Sequence, residues 1–133
     1  MAVPFLSCMA LVASLYGLPP RVLPSIQVIE GGWAGAAVRN RDGSEDLGVM
    51  QVNTLWVGPL VLYTGLPSQQ IRERLIAEPC FNIAAAGAIL RGYLDEAHGD
   101  LMRAIGYYHS HRPALALPYQ MRVRQAAALL FKG

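Results

Sequence analysis

The sequence predicts a mainly α fold of the α+β class, with short helices around a longer central one and one small β hairpin. Three observations carry that expectation. Apolar residues recur at helical spacing along most of the chain, and breakers such as Gly17-Leu18-Pro19-Pro20, Gly31-Gly32 and Gly99-Asp100 separate the periodic segments. Only residues 37–53 depart from that pattern, as short polar segments around Arg41-Asp42-Gly43, a turn sequence whose glycine can take positive φ. The 133 residues are 53% hydrophobic and 15% charged, enough apolar surface to offset the ordering entropy, so one domain over residues 1–133 is expected and disorder is excluded.

Each element follows from local chemistry. Phe5, Cys8, Met9, Val12 and Tyr16 make a first helix that Gly17 and the two prolines stop. Pro20 suits the first position of a second helix, where a missing N–H costs nothing, and Val22, Leu23, Ile26 and Ile29 carry that helix to Glu30. After the hairpin, residues 54–63 and 68–77 read as short helices, the second with Ser68 as N-cap. Pro79 opens a longer helix whose buried face is expected to hold Ile83, Ala86, Ala88, Ile89 and Tyr93, and whose alanines and Gly87 let a neighbouring helix come close. Asn82 reads as a helix-start hydrogen bond. Asp100 recaps the chain for residues 101–109; residues 113–118 are expected as a loop between prolines, and 119–131 as a last helix.

Composition removes several function classes. Eleven Lys plus Arg stand against nine Asp plus Glu, scattered singly, so there is no basic stripe to neutralise phosphates and nucleic acid is not an expected partner. The longest uncharged run, residues 1–20, is interrupted by Pro4, Ser7, Ser14 and Gly17, and a spanning helix needs about 20 predominantly apolar residues; the chain is not expected to be an integral membrane protein. No Lys or Arg precedes Arg21, so the basic n-region of an export signal is missing. His109 and His111 are two apart, on different helix faces, with no further ligand at metal spacing, so no metal is expected. Cys8 and Cys80 allow two readings, a pair of buried thiols or one disulfide closing a long loop.

Glu30 stands out because it ends an apolar helix just before Gly31-Gly32, an unfavourable place for a carboxylate next to the negative end of the helix dipole. Either it is a solvated helix end, or it is a carboxyl whose charged form is disfavoured and which can donate a proton. The segment that follows, Asp42-Gly43-Ser44-Glu45-Asp46-Leu47-Gly48-Val49-Met50-Gln51-Val52-Asn53-Thr54-Leu55-Trp56, decides between them by resemblance. A helix-end glutamate followed by a hairpin with Gly-x-Met-Gln-hydrophobic-Asn resembles the soluble lytic transglycosylase family of the lysozyme-like superfamily; residues 42–56 also look like animal c-type lysozymes. Pro79-Cys80-Phe81-Asn82-Ile83 resembles the family's Asn-Ile helix, and Ala104-Ile105-Gly106-Tyr107-Tyr108-His109-Ser110 its Ala-Leu-x-x-Tyr-Asn segment, with His109 in place of Asn. Glu-Gly-Gly, Tyr-His-Ser and the cysteine pair are most similar to the small transglycosylases of conjugation, type IV secretion and pilus systems.

The resemblance implies a lysozyme-like fold acting on peptidoglycan glycan strands in the periplasm or another extracytoplasmic compartment, without a cofactor, with the export signal absent from this chain. It implies Glu30 as the catalytic acid and then base, and Gln51, Asn53, Met50, Tyr108 and His109 at the substrate. It implies a Cys8–Cys80 disulfide, as an oxidising compartment permits, and partners among secretion, conjugation or pilus proteins. Asp46 occupies the place of the second carboxylate of c-type lysozymes, so hydrolysis with Glu30 and Asp46 is the alternative, with a non-catalytic glycan-binding scaffold behind it; the other role for Asp46 is to brace the hairpin. Gln51 and Asn53 could likewise brace the hairpin, and Trp33 and Trp56 could stack on sugars or be buried.

Overall fold

A computed structural model describes residues 2–132; Met1 and Gly133, the two ends of the expected domain, lie outside the described residues. Helix α1 (Leu6–Tyr16) and α2 (Val22–Glu30) precede strands β1 (Ala37–Arg39), β2 (Glu45–Leu47) and β3 (Val52–Asn53). A 3₁₀ turn (Thr54–Trp56) leads into α3 (Val57–Thr64), followed by α4 (Ser68–Ala77), α5 (Pro79–Glu96), α6 (Leu101–His109) and α7 (Pro113–Leu130). This is the expected mainly α architecture with a small β excursion. The chain gathers into two compact units, one formed by the chain up to Ile29 and from Gly87 onward, the other by Glu30–Ala86.

In the first unit, Gly17 ends α1 in the left-handed region (φ 64°), its N–H returning to the α1 carbonyls. Pro20 stays in the turn before α2 rather than in its first position, because the helix begins only at Val22. Gly87 does what its lack of a side chain suggested: a Cβ there would collide with Val12 and stand 3.1 Å from the Tyr16 ring. Arg91 secures the same contact by donating to the Tyr16 carbonyl at 3.3 Å. Gly106 plays the equivalent part between α6 and α7, where a Cβ would stand 2.7 Å from Gln120 Nε2 and 3.1 Å from Ala116.

The loop expected at residues 113–118 is helical instead. Pro113 opens α7 and Pro118 lies inside it. A proline in a helix interior costs about 3 kcal/mol because a hydrogen bond is lost and the ring crowds the preceding turn. Here Ala116, Tyr119, Val123 and Ala126 are all buried, and α7 lies along α6, so packing outweighs local propensity.

The second unit is organised by its sheet. The expected hairpin is a three-stranded antiparallel meander in the order β1-β2-β3, with Val38 opposite Asp46 and Asp46 opposite Asn53. Leu47 and Val52 form the neighbouring pair, both buried, together with Ile71 and Leu75 of α4 and Ile83 of α5. Pro67, not Ser68, precedes the first turn of α4, and no side chain caps it; Ser68 is already helical. The Arg72–Glu45 pair at 2.8 Å fastens α4 to β2. Both cysteines, Cys8 in α1 and Cys80 in the first turn of α5, are disulfide-bonded, which sets aside the reading as two buried thiols. Among the described residues no helix is long and apolar enough to cross a membrane.

Candidate active site

Glu30 is the last residue of α2 and is half-buried. The chain leaves it through Gly31 and Gly32, and Gly32 is buried directly on the backbone of the turn between β2 and β3. A Cβ on Gly32 would collide with the Gly48 carbonyl and stand 2.6 Å from that of Val49. The exit from the glutamate is therefore seated on the Gly48–Gln51 turn by a contact that only glycine allows. Gly32→Ala is expected to destabilise by about 1–3 kcal/mol, the usual range for overpacking, read as a lower urea midpoint. An unchanged midpoint would mean that this contact opens freely.

The turn itself is held in an uncommon conformation. Gln51 has φ 55°, rare for a residue with a side chain. Its N–H donates to the Gly48 carbonyl at 3.1 Å, and its Nε2 donates to that same oxygen at 3.1 Å and to the Asp46 carbonyl at 3.5 Å. The amide of Gln51 is thus oriented by the backbone it sits on, which leaves Oε1 as the atom able to accept from a ligand.

Beneath the turn lies Asn82, fully buried. Its Oδ1 accepts from Met50 N–H at 2.8 Å, and its Nδ2 donates to the carbonyls of Leu47 at 2.8 Å and Leu75 at 2.9 Å. The expected helix-start bond is not what it makes; it ties α5, the end of α4 and the β2–β3 turn together. Gly48 fits only because it has no side chain, since a Cβ would collide with Asn82 Nδ2 and the Leu75 carbonyl. The signal was present in the sequence, for Asn82 shares a helical face with the apolar Ala86 and Ile89, and an amide on a buried face needs partners.

Asp46 and Asn53 face one another across β2 and β3. Asn53 Nδ2 donates to Asp46 Oδ1 and to Ser44 Oγ, each at 3.0 Å, while Asn53 Oδ1 accepts from Leu55 N–H at 2.9 Å and caps the 3₁₀ turn. Ser44 continues the network through its N–H and Oγ to Asp42 Oδ1, at 2.9 and 2.6 Å. These bonds from Ser44 hold the Asp42 carboxyl below its ordinary value. Asn53 is occupied on both ends of its amide, the bracing alternative. The side chain of Met50 is fully buried.

Tyr108 and His109 belong to the other compact unit, on the last turn of α6. Tyr108 is half-buried, whereas His109 is exposed and lies flat on Tyr119 of α7, ring centroids 4.8 Å apart. His111 makes a different set of contacts, pairing with Glu96 at 2.8 Å, so the two histidines share no partner among these contacts. Trp33 is 59% exposed and Trp56 half-buried, which leaves Trp33 the more open indole for a ligand.

Comparison with known proteins bears on the same residues. The chain matches the family model described as the transglycosylase SLT domain over residues 7–115. It is 33% identical over 76 residues to Invasion protein IagB of Salmonella typhimurium (strain SL1344), and to the same extent to that of Salmonella typhi. That stretch covers 57% of this chain and 44% of each relative, so the chain spans less than half the length of the curated relatives it matches. Glu30, the Gly48–Gln51 turn, Asn82 and the Tyr107–Ser110 segment all fall inside the family match, and the chain belongs to the transglycosylase SLT domain family.

Proposed function

We propose that this chain is a peptidoglycan lytic transglycosylase that cleaves the β-1,4 bond between N-acetylmuramic acid and N-acetylglucosamine. The observation that carries the reading is Glu30 at the end of α2, half-buried and followed by Gly31-Gly32, with Gly32 packed on the hydrogen-bonded Gly48–Gln51 turn, in a chain of this family. The protonated Glu30 gives its proton to the glycosidic oxygen as the C1–O bond breaks. The substrate's own N-acetyl oxygen stabilises the cationic C1. The carboxylate of Glu30 then takes the proton of the sugar's 6-hydroxyl as O6 bonds to C1, closing a 1,6-anhydro ring. No water is consumed and the acid is regenerated.

Gln51 accepts from a sugar hydroxyl or N-acetyl N–H through Oε1, on an amide already oriented by Gly48, so little freedom is lost on binding. Tyr108 serves as a sugar contact, and His109 fills the polar position next to it in the chain. The substrate lies outside the cytoplasmic membrane, which suits a chain whose two cysteines are disulfide-bonded. Likeness to a protein named for invasion supports service to a secretion, conjugation or pilus apparatus that needs local openings in the wall.

Asp46 is assigned to bracing rather than chemistry, because its carboxylate accepts from Asn53 within the sheet. A retaining hydrolase would need it as a second carboxyl about 5–5.5 Å from the first. Asp46→Asn is expected to keep anhydro products and a turnover within about threefold of wild type, since one carboxylate suffices. Mass spectrometry of products from purified sacculi reads this directly, as an anhydro end is lighter than a reducing end by one water. Reducing ends alone from the wild type would replace the proposal with hydrolysis, and sacculi bound but uncut would replace it with a glycan-binding scaffold.

A further inference from the structure

The carboxyl end of α6 is held from two sides by ring contacts that the proposed reaction does not use. On one side His111, in the connection to α7, lies flat on Tyr107, with centroids 4.0 Å apart and 17° between the planes. Its Nε2 reaches Glu96 Oε2 at 2.8 Å. Tyr93 closes this cluster edge-on, 5.4 Å from His111 and 6.0 Å from Tyr107. Burial first, and then the negative charge of Glu96, raise the pKa of Tyr93, so its phenol stays neutral beside the pair. On the other side His109 lies on Tyr119. Tyr108 sits in the chain between these two anchored rings.

The Glu96–His111 pair is half-exposed on both partners, and such pairs add little to global stability. A local task fits it better. The connection from α6 to α7 is only three residues, and it is further fixed by Ser110 Oγ accepting from Arg112 N–H at 3.0 Å and Ser110 N–H returning to Gly106. Pinning His111 to the end of α5 therefore restrains the whole Tyr107–His111 segment through its backbone.

We propose that Glu96 and His111 are positioning residues for glycan cleavage, clamping the end of α6 so that Tyr108 and His109 keep one arrangement toward the sugar. The inference rests on reading the chain as a glycan-cleaving enzyme with Tyr108 at the substrate. Misplacement by about 1 Å can cost about 10²-fold in rate, and loosening one anchor of two costs less.

The test compares wild type with Glu96→Ala, Glu96→Gln, His111→Ala and His111→Phe on purified glycan strands. Glu96→Ala and His111→Ala are expected to lower kcat about five- to tenfold with KM within about twofold, a pattern of lost transition-state positioning. Glu96→Gln keeps an acceptor oxygen and recovers most of the loss; His111→Phe keeps the stack but not the bond and falls between. The Tyr108 ring resonance, followed by NMR with labelled tyrosine, shifts in the two alanine variants and returns in Glu96→Gln. Wild-type kcat in both alanine variants, an unmoved Tyr108 resonance, or equal losses in Glu96→Gln and Glu96→Ala would overturn the clamp. An active wild type with unaffected variants removes only the clamp, whereas a wild type inert on glycan removes the functional reading and the clamp with it.

Discussion

Glu30→Gln is expected to lower glycan cleavage by about 10³-fold or more while leaving the fold and the binding of sacculi intact. The side chains are nearly the same size, and a half-buried site at a helix end tolerates an amide, so no packing is lost. The amide can neither give a proton to the leaving oxygen nor take one from the 6-hydroxyl. General acid–base catalysis contributes typically about 10²–10⁴-fold, and here the same group serves both halves of the reaction, which places the effect toward the upper end. The measurement is release of soluble muropeptides from sacculi beside a thermal melt. A glutamine variant within tenfold of wild type, equally folded, would show that the proton comes from elsewhere.

Asn82→Leu is expected to be the most destabilising of the changes considered. Leucine fills the space but leaves Met50 N–H and the carbonyls of Leu47 and Leu75 without the partner they have at 2.8–2.9 Å. A buried group left unsatisfied costs about 1–3 kcal/mol, so three of them amount to roughly 3–9 kcal/mol. Small domains hold only about 5–15 kcal/mol in total, and the melting temperature should fall by about 10 °C or more. Asn82→Asp is expected to fare little better, because a carboxylate would accept from Met50 but face two carbonyl oxygens where the amide donated. Urea unfolding of the three chains decides it; Asn82→Leu within about 1 kcal/mol of wild type would mean that water or a shifted turn replaces the amide.

The helices were legible wherever one residue settles a boundary. Gly17, Pro79 and Asp100 do so by geometry or capping, and α1, α5 and α6 start or stop within a residue of them. Boundaries that depend on neighbours were not legible. Pro113 and Pro118 argue locally for a loop, and only the burial of Ala116 and Tyr119 makes that stretch helical. A third strand was hidden for a related reason, since Val52 and Asn53 are too few to show alternation and become a strand only by pairing with Leu47 and Asp46.

The candidate site divides the same way. Residue types and their order determined that this chain carries a helix-end glutamate, a Gly-x-Met-Gln turn, an Asn-Ile helix and a Tyr-Tyr-His segment, because each is a local pattern of covalent neighbours. Beyond the buried face that Asn82 shares with Ala86 and Ile89, which partners those side chains meet was decided by the tertiary structure. Met50 is fully buried, Asn53 bonds Asp46 across two strands, Asn82 bonds the turn through Met50, and Glu96 meets His111 from fifteen residues away. Hydrogen bonds and stacks of this kind join atoms far apart in sequence. Their partners are chosen by where the packed apolar faces bring the backbone, and a periodicity read along the chain carries no record of that choice.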